Sequence, residues 1–129
     1  MDNNIIFEMS MSESLIMDFL WETDKGITFS EISDYLNNEL KKDWKKQTIN
    51  TFIKRLSDKN LISAKRTGKN KIYYAALTKR EYEKGHAQKL LDDFYNGSIS
   101  KFLTALTGGK KIDREFADEL RDIIDKESL

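Results

Sequence analysis

Gln47, Asn50, Thr51 and Lys54 recur at i, i+3, i+4 and i+7, and about 100° of turn per residue sets them on one stripe of a helix. Two amides, a hydroxyl and an ammonium are groups that bond to base edges and phosphate oxygens. Lys46, Thr48 and Arg55 flank the stripe, and no acid interrupts this segment before Asp58. Ile49, Phe52, Ile53 and Leu56 fall on the opposite face, centred roughly 180° away. A helix that needed only solubility would carry Glu among its lysines; this one does not.

Charge along the chain follows the same division. The net charge is zero, yet residues 1–44 hold ten acids against three bases. Residues 45–71 hold nine bases (Lys45, Lys46, Lys54, Arg55, Lys59, Lys65, Arg66, Lys69, Lys71) against the single acid Asp58, a local net of +8. A charge run is usually a solvated face, but this one spans a helix and a hairpin and so outlines a candidate nucleic-acid surface.

Other chemistry is thinly represented. With no cysteine, the chain has no disulfide, cysteine nucleophile or thiolate metal site, and no metal or cofactor is expected. His86 is the only histidine and has no paired nucleophile, so it reads as structural or exposed. Asp92 and Asp93 are helix neighbours about 100° apart and read as solvated surface. Trp21 and Trp44 read as aromatic anchors, and Gly108-Gly109 as a flexible joint without a phosphate-loop motif. No catalytic residue is assigned, so a non-enzyme is expected. The longest apolar run, Ile72 to Leu77, is far short of a membrane span, and the acidic start lacks the basic opening of a secretory signal. These features place the protein in the cytoplasm, with no membrane insertion.

The elements that must position the stripe are legible from periodicity. A first helix is predicted from Met11 to Glu22, with Ser10 and Glu13 as a capping box and Asp24-Lys25-Gly26 closing it. Ile27 begins one short strand. Thr28 and Glu31 form a second box for a helix from Phe29 to Leu40, which buries Ile32, Tyr35, Leu36 and Leu40. The third helix spans Lys45 to Asp58. Leu61–Thr67 and Lys71–Ala76 read as strands around the turn Thr67-Gly68-Lys69-Asn70. A fourth helix runs from Lys79 to Tyr95 with Tyr82, Leu90, Leu91 and Phe94 as apolar positions, and Asn96-Gly97 breaks it. Ser98 caps a fifth helix to Thr107, and Asp113 caps a last one.

The fold class expected is mainly α with a small β-hairpin: a winged helix-turn-helix over 1–77, followed by a helical dimerisation region over 78–129. Leu91, Phe94, Ile99, Phe102, Leu103, Leu106, Phe116, Leu120, Ile123 and Ile124 form broad apolar stripes in that region. Too little chain follows the wing to bury them alone, so they either fold back on the first domain or pack on a second copy; the second is expected, because a winged helix without them is already complete. A winged-helix adaptor that binds protein and not DNA is the alternative, and the nine-to-one basic bias opposes it.

The details match a known pattern. Glu13-x-x-Ile16-Met17-x-x-Leu20-Trp21 opens the first helix; Trp44, Thr48-Ile49-x-Thr51 and Lys54-Arg55-Leu56 mark the third; Gly68-x-x-x-Ile72-Tyr73-Tyr74 forms the wing; Phe94-Tyr95-Asn96-Gly97-Ser98 joins the fourth and fifth helices. In this order and spacing they resemble the penicillinase-repressor family (BlaI/MecI) of bacterial antibiotic-response regulators over nearly the whole chain. Where that family often has Ser-Pro and then lysine after the tryptophan, this sequence has Lys45-Lys46-Gln47.

The resemblance implies a homodimer on a double-stranded, inverted-repeat operator of a β-lactam-resistance-like operon. Gln47, Asn50 and Thr51 would then read bases, while Lys46, Thr48, Lys54, Arg55, Arg66, Lys69 and Lys71 hold phosphates. It also implies a membrane sensor-protease that cuts the repressor in the fifth helix. The matching bond here is Ala105–Leu106, and both residues differ from the family's Asn-Phe pair. Copper-responsive relatives use a C-terminal cysteine cluster, which this chain lacks.

Overall fold

The protein is described by a computed structural model over residues 4–127. In chain order it comprises α1 (Met11–Thr23), β1 (Ile27–Thr28), α2 (Phe29–Asp34), a π-helical turn (Tyr35–Glu39), α3 (Lys46–Asp58), β2 (Ile62–Thr67), β3 (Asn70–Ala75), α4 (Lys79–Tyr95), α5 (Ile99–Thr107) and α6 (Arg114–Glu127). The chain divides into two compact units between Ala87 and Gln88, within α4.

Local signals set the first unit's elements. Ser10 Oγ accepts from the Glu13 N–H at 3.1 Å while the Glu13 carboxylate accepts from the Ser10 N–H at 3.0 Å. Thr28 and Glu31 repeat that reciprocal cap at the start of α2. β1, β3 and β2 form an antiparallel sheet in that order, with Ile27 opposite Tyr73 and Thr67 opposite Asn70. Gly68 turns the hairpin at φ +62°, a left-handed value that favours glycine. Gly26 has a different reason for being glycine. A Cβ there would lie 2.2 Å from Ile72 Cγ2, so its absence lets the wing strand pack against the end of α1.

The core joins Ile16, Met17 and Leu20 of α1 to Ile32, Leu36, Ile49, Ile53, Leu56, Leu61 and Tyr73. The predicted helix from Phe29 to Leu40 is not α-helical throughout: its last turn widens, and the Leu40 N–H donates to the Tyr35 carbonyl five residues back. The wider turn accommodates two demands, since Leu36 is wholly buried while the Tyr35 ring stacks on Phe19 with centroids 4.2 Å apart.

Residues 4–10, given no element by the periodicity, form an irregular strap. Ile5, Phe7 and Met9 pack on the core, and the Ile6 N–H donates to the Lys59 carbonyl at 3.0 Å. Phe7 lies over Gly85 of α4, where a Cβ would come within 2.3 Å of its ring. His86 donates from Nδ1 to the Phe7 carbonyl at 2.8 Å and stacks on Tyr82, so the only histidine is a structural one. Trp21 is an anchor as well, its indole N–H donating to the Leu77 carbonyl at 2.9 Å.

In the second unit Ser98 and Asp113 cap α5 and α6 as expected. Gly108 and Gly109 are a built helix end, with φ of +68° and +79°, and the Gly108 N–H bonds to the Ala105 carbonyl. Leu91, Leu103, Phe116 and Leu120 are half-buried, while Phe94, Ile99, Phe102, Leu106, Ile123 and Ile124 are exposed. Among the described residues no helix is long and apolar enough to cross a membrane.

Among the described residues one charged side chain, Glu13, is buried in the core region, 2% exposed. Lys59 at the end of α3 donates to its carboxylate at 2.6 Å. Burial by itself raises the Glu13 pKa. The Lys59 and Ser10 hydrogen bonds and the charges of Lys59 and Arg55 outweigh it, holding the carboxyl below its ordinary value of 4.5. Because folding lowers this pKa, the carboxylate stabilises the fold above pH 4.5, and that contribution is lost as pH falls through the folded value. Glu13→Gln is therefore expected to cost about 1.5–3 kcal/mol at pH 7. It should also flatten the loss of stability between neutral pH and pH 3, as read by denaturant unfolding at several pH values. An equal acid sensitivity in both proteins would contradict the assignment.

Candidate nucleic-acid interface

The placement of α3 begins at a side chain that the periodicity does not single out. Asn37, in the π turn, clamps Trp44, two residues before the helix. Its Nδ2 donates to the Trp44 carbonyl at 2.9 Å, and its Oδ1 accepts from the Trp44 N–H at 2.8 Å. Lys41 and Asp43 take left-handed φ values of +57° and +56° in the connection, a conformation that costs an L-residue energy and is held by its surroundings. The Trp44 ring lies 5.2 Å from that of Phe52, and the Arg55 guanidinium sits over Phe52 at 5.9 Å. Inside, Ile49, Ile53 and Leu56 fix the rotation of the helix.

That rotation leaves Lys46, Gln47, Asn50, Thr51, Lys54 and Arg55 exposed and Thr48 half-buried. Not every base of the run belongs to this surface. Lys59 is turned inward onto Glu13, and Lys54 lies 3.4 Å from Asp58 in a solvated pair that contributes little.

The electrostatics of what remains are unfavourable for the free protein. α3 starts after Lys45 without a side-chain cap, whereas α1, α2, α4, α5 and α6 have one. Lys45 and Lys46 add positive charge to the end of the helix that already carries the positive pole of its dipole. On the wing, Arg66 stands directly opposite Lys71 in the β2–β3 register, so two like charges share one face. The Lys71 ammonium lies over the Tyr73 ring of that same face, 5.7 Å from its centroid. Lys65 is paired with Ile72 and belongs to the other face, and Lys69 is at the turn. The bases at the start of α3 and the Arg66–Lys71 pair work against the fold by itself, and a bound anion would relieve both.

The Ala105–Leu106 bond lies in the last turn of α5, with both residues exposed.

Three helices and a small sheet, with an exposed amide-and-base stripe on the third helix beside a basic hairpin, define a winged helix-turn-helix protein followed by a helical region. The chain belongs to the penicillinase repressor family, whose profile matches residues 9–126. It is similar to the methicillin resistance regulatory protein MecI of Staphylococcus aureus strain N315 and to that of Staphylococcus epidermidis. Each is 25% identical over 126 residues, covering 98% of this chain and 99% of the relative. The MecI protein of Mammaliicoccus sciuri matches to the same extent. A solved structure described by the DNA recognition and protein interaction domains of HOP2 covers 50% of this chain and 97% of its own, at 23% identity and a TM-score of 0.44, too slight a likeness to support an argument.

Replacing Asn37 by alanine would leave the Trp44 N–H and carbonyl without their side-chain partner. The expected cost is about 1–3 kcal/mol. Faster amide exchange should appear at residues 44–48, with α1 little affected. Unchanged exchange there would show that the clamp does not hold the start of α3.

Proposed function

We propose that this protein is a homodimeric transcription repressor that grips a palindromic operator of a resistance operon through α3 and the β2–β3 wing. The observation that carries this is the α3 stripe. Two amides and a hydroxyl stand exposed between bases, on a helix whose other face is locked into the core. Gln47, Asn50 and Thr51 enter the major groove, where a good bidentate contact is worth roughly 1–3 kcal/mol of discrimination. Lys46, Thr48, Lys54, Arg55, Arg66, Lys69 and Lys71 hold phosphates, which relieves the Arg66–Lys71 repulsion and the uncapped start of α3. The regulated operon is inferred from the relatives named as methicillin resistance regulators.

Pairing of two copies uses the second unit. Phe94 is 72%, Ile99 64% and Ile124 60% exposed, and a second copy of α5 and α6 would cover them. A two-fold axis then sets two α3 helices about one turn of DNA apart, or a multiple of it, and makes the operator palindromic. Release follows the route implied by the family: a membrane sensor-protease cuts the bond matching the family's site, Ala105–Leu106. The protein works in the cytoplasm, where its DNA lies.

Selection of bound duplexes from a random pool tests the reading, and a short palindrome should be enriched. Asn50→Ala should then alter the preferred base at one position per half-site, whereas Lys69→Ala should weaken all sequences alike and lower the salt slope by about 1. If both variants weakened every sequence equally, the base-reading assignment would be wrong. Absence of any enriched sequence would leave a winged-helix adaptor that binds protein.

Dimerisation is tested separately. Ile123→Asp with Ile124→Asp should give a folded monomer by sedimentation velocity, with affinity for the palindrome at least tenfold lower and half-site binding retained. A variant that stayed dimeric would move the pairing surface elsewhere.

A further inference from the structure

We propose that Thr51 reads a thymine through its methyl group and not through its hydroxyl, an inference that rests on the operator-binding reading above. The Thr51 hydroxyl is already committed: Oγ1 donates to the Gln47 carbonyl, one turn back in α3, at 3.0 Å. A hydroxyl has one hydrogen, so it has none to give to a base acceptor. Its neighbours on the stripe differ. Among the described residues the side-chain amides of Gln47 and Asn50 have no intramolecular partner, and both stand exposed.

With its oxygen drawn back to the helix backbone, the group Thr51 presents on the exposed stripe is Cγ2. In the major groove a methyl has one characteristic apolar counterpart, the C5-methyl of thymine, while exposed Asn and Gln amides pair with the N6 and N7 of adenine. The stripe therefore carries two kinds of reader: amides for adenine and, at Thr51, a methyl for thymine. Thr51 lies one turn from Gln47, about 6 Å along the helix, which corresponds to two base steps or fewer. The half-site should hold its methyl-read thymine within two base pairs of the position whose preference Gln47 sets.

The test uses the full-length protein and its enriched operator duplex, with thymines replaced by uracil one at a time and affinity read by fluorescence anisotropy. Uracil keeps every hydrogen-bonding group and lacks only the methyl. For the unaltered protein, one thymine per half-site should show about a fourfold loss on replacement, the size expected for one buried methyl group. Thr51→Val keeps a methyl and the β-branched shape, and should retain that sensitivity. Thr51→Ser keeps the hydroxyl alone, and should bind thymine and uracil duplexes equally at that position. Circular dichroism would confirm that both variants keep their helices.

Equal affinity of the unaltered protein for every uracil duplex would overturn this inference and leave operator binding intact. So would the reverse pattern, with Thr51→Ser behaving as the unaltered protein and Thr51→Val losing affinity, which would assign the reading to the hydroxyl. A protein that enriches no operator overturns the operator-binding reading itself, and the thymine contact with it.

Discussion

The buried ion pair between Glu13 and Lys59 is the constraint around which the first unit is arranged. A carboxylate at 2% exposure is costly unless it is paired and hydrogen-bonded, and here the Ser10 N–H and the Lys59 ammonium both donate to its Oε1. One side chain thereby closes the cap of α1 and ties it to the last turn of α3, across 46 residues of sequence. With its far end held there and its near end held by the Asn37 clamp on Trp44, α3 has little freedom to roll or slide. The exposed stripe gains a defined direction from groups that take no part in it.

That rigidity is combined with unrelieved charge at the surface. Lys45 and Lys46 sit at the positive end of α3, and Arg66 faces Lys71 across the wing. Neither arrangement helps folding, and both ask for an external anion. The two regions differ in what they offer. The wing is an extended hairpin with a lysine at its turn, suited to charge contact, whereas the α3 stripe alternates amides with a hydroxyl already spent on the helix backbone. On the proposed reading, the first would supply position and the second discrimination.

The second unit follows a different logic. Its helices are closed by local devices, from Ser98 and Asp113 at their starts to Gly108 and Gly109 between them, yet none of the residues of α5 is buried. Local capping defines where such helices begin and end; it does not hide their apolar faces. Within this unit Phe94, Ile99, Phe102, Leu106, Ile123 and Ile124 stay exposed.

Most of the local architecture was determined by the sequence alone. The capping boxes of α1 and α2, the strand at Ile27, the glycine turn of the wing, the break at Asn96-Gly97 and the two-faced character of α3 depend on residues within a turn or two of each other, so periodicity and turn chemistry expose them. Tertiary structure decided what those signals cannot reach. It turned Lys59 away from the basic surface and onto Glu13, made Asn37 the holder of Trp44, widened the end of the second helix so that Tyr35 meets Phe19, and tied His86 to Phe7 across 79 residues. A charge, an amide or an imidazole looks the same in the chain whether it will face solvent or a distant partner. Only the closing of long loops brings those partners together, and the burial that follows decides which polar groups must be satisfied inside and which remain outside to meet a ligand.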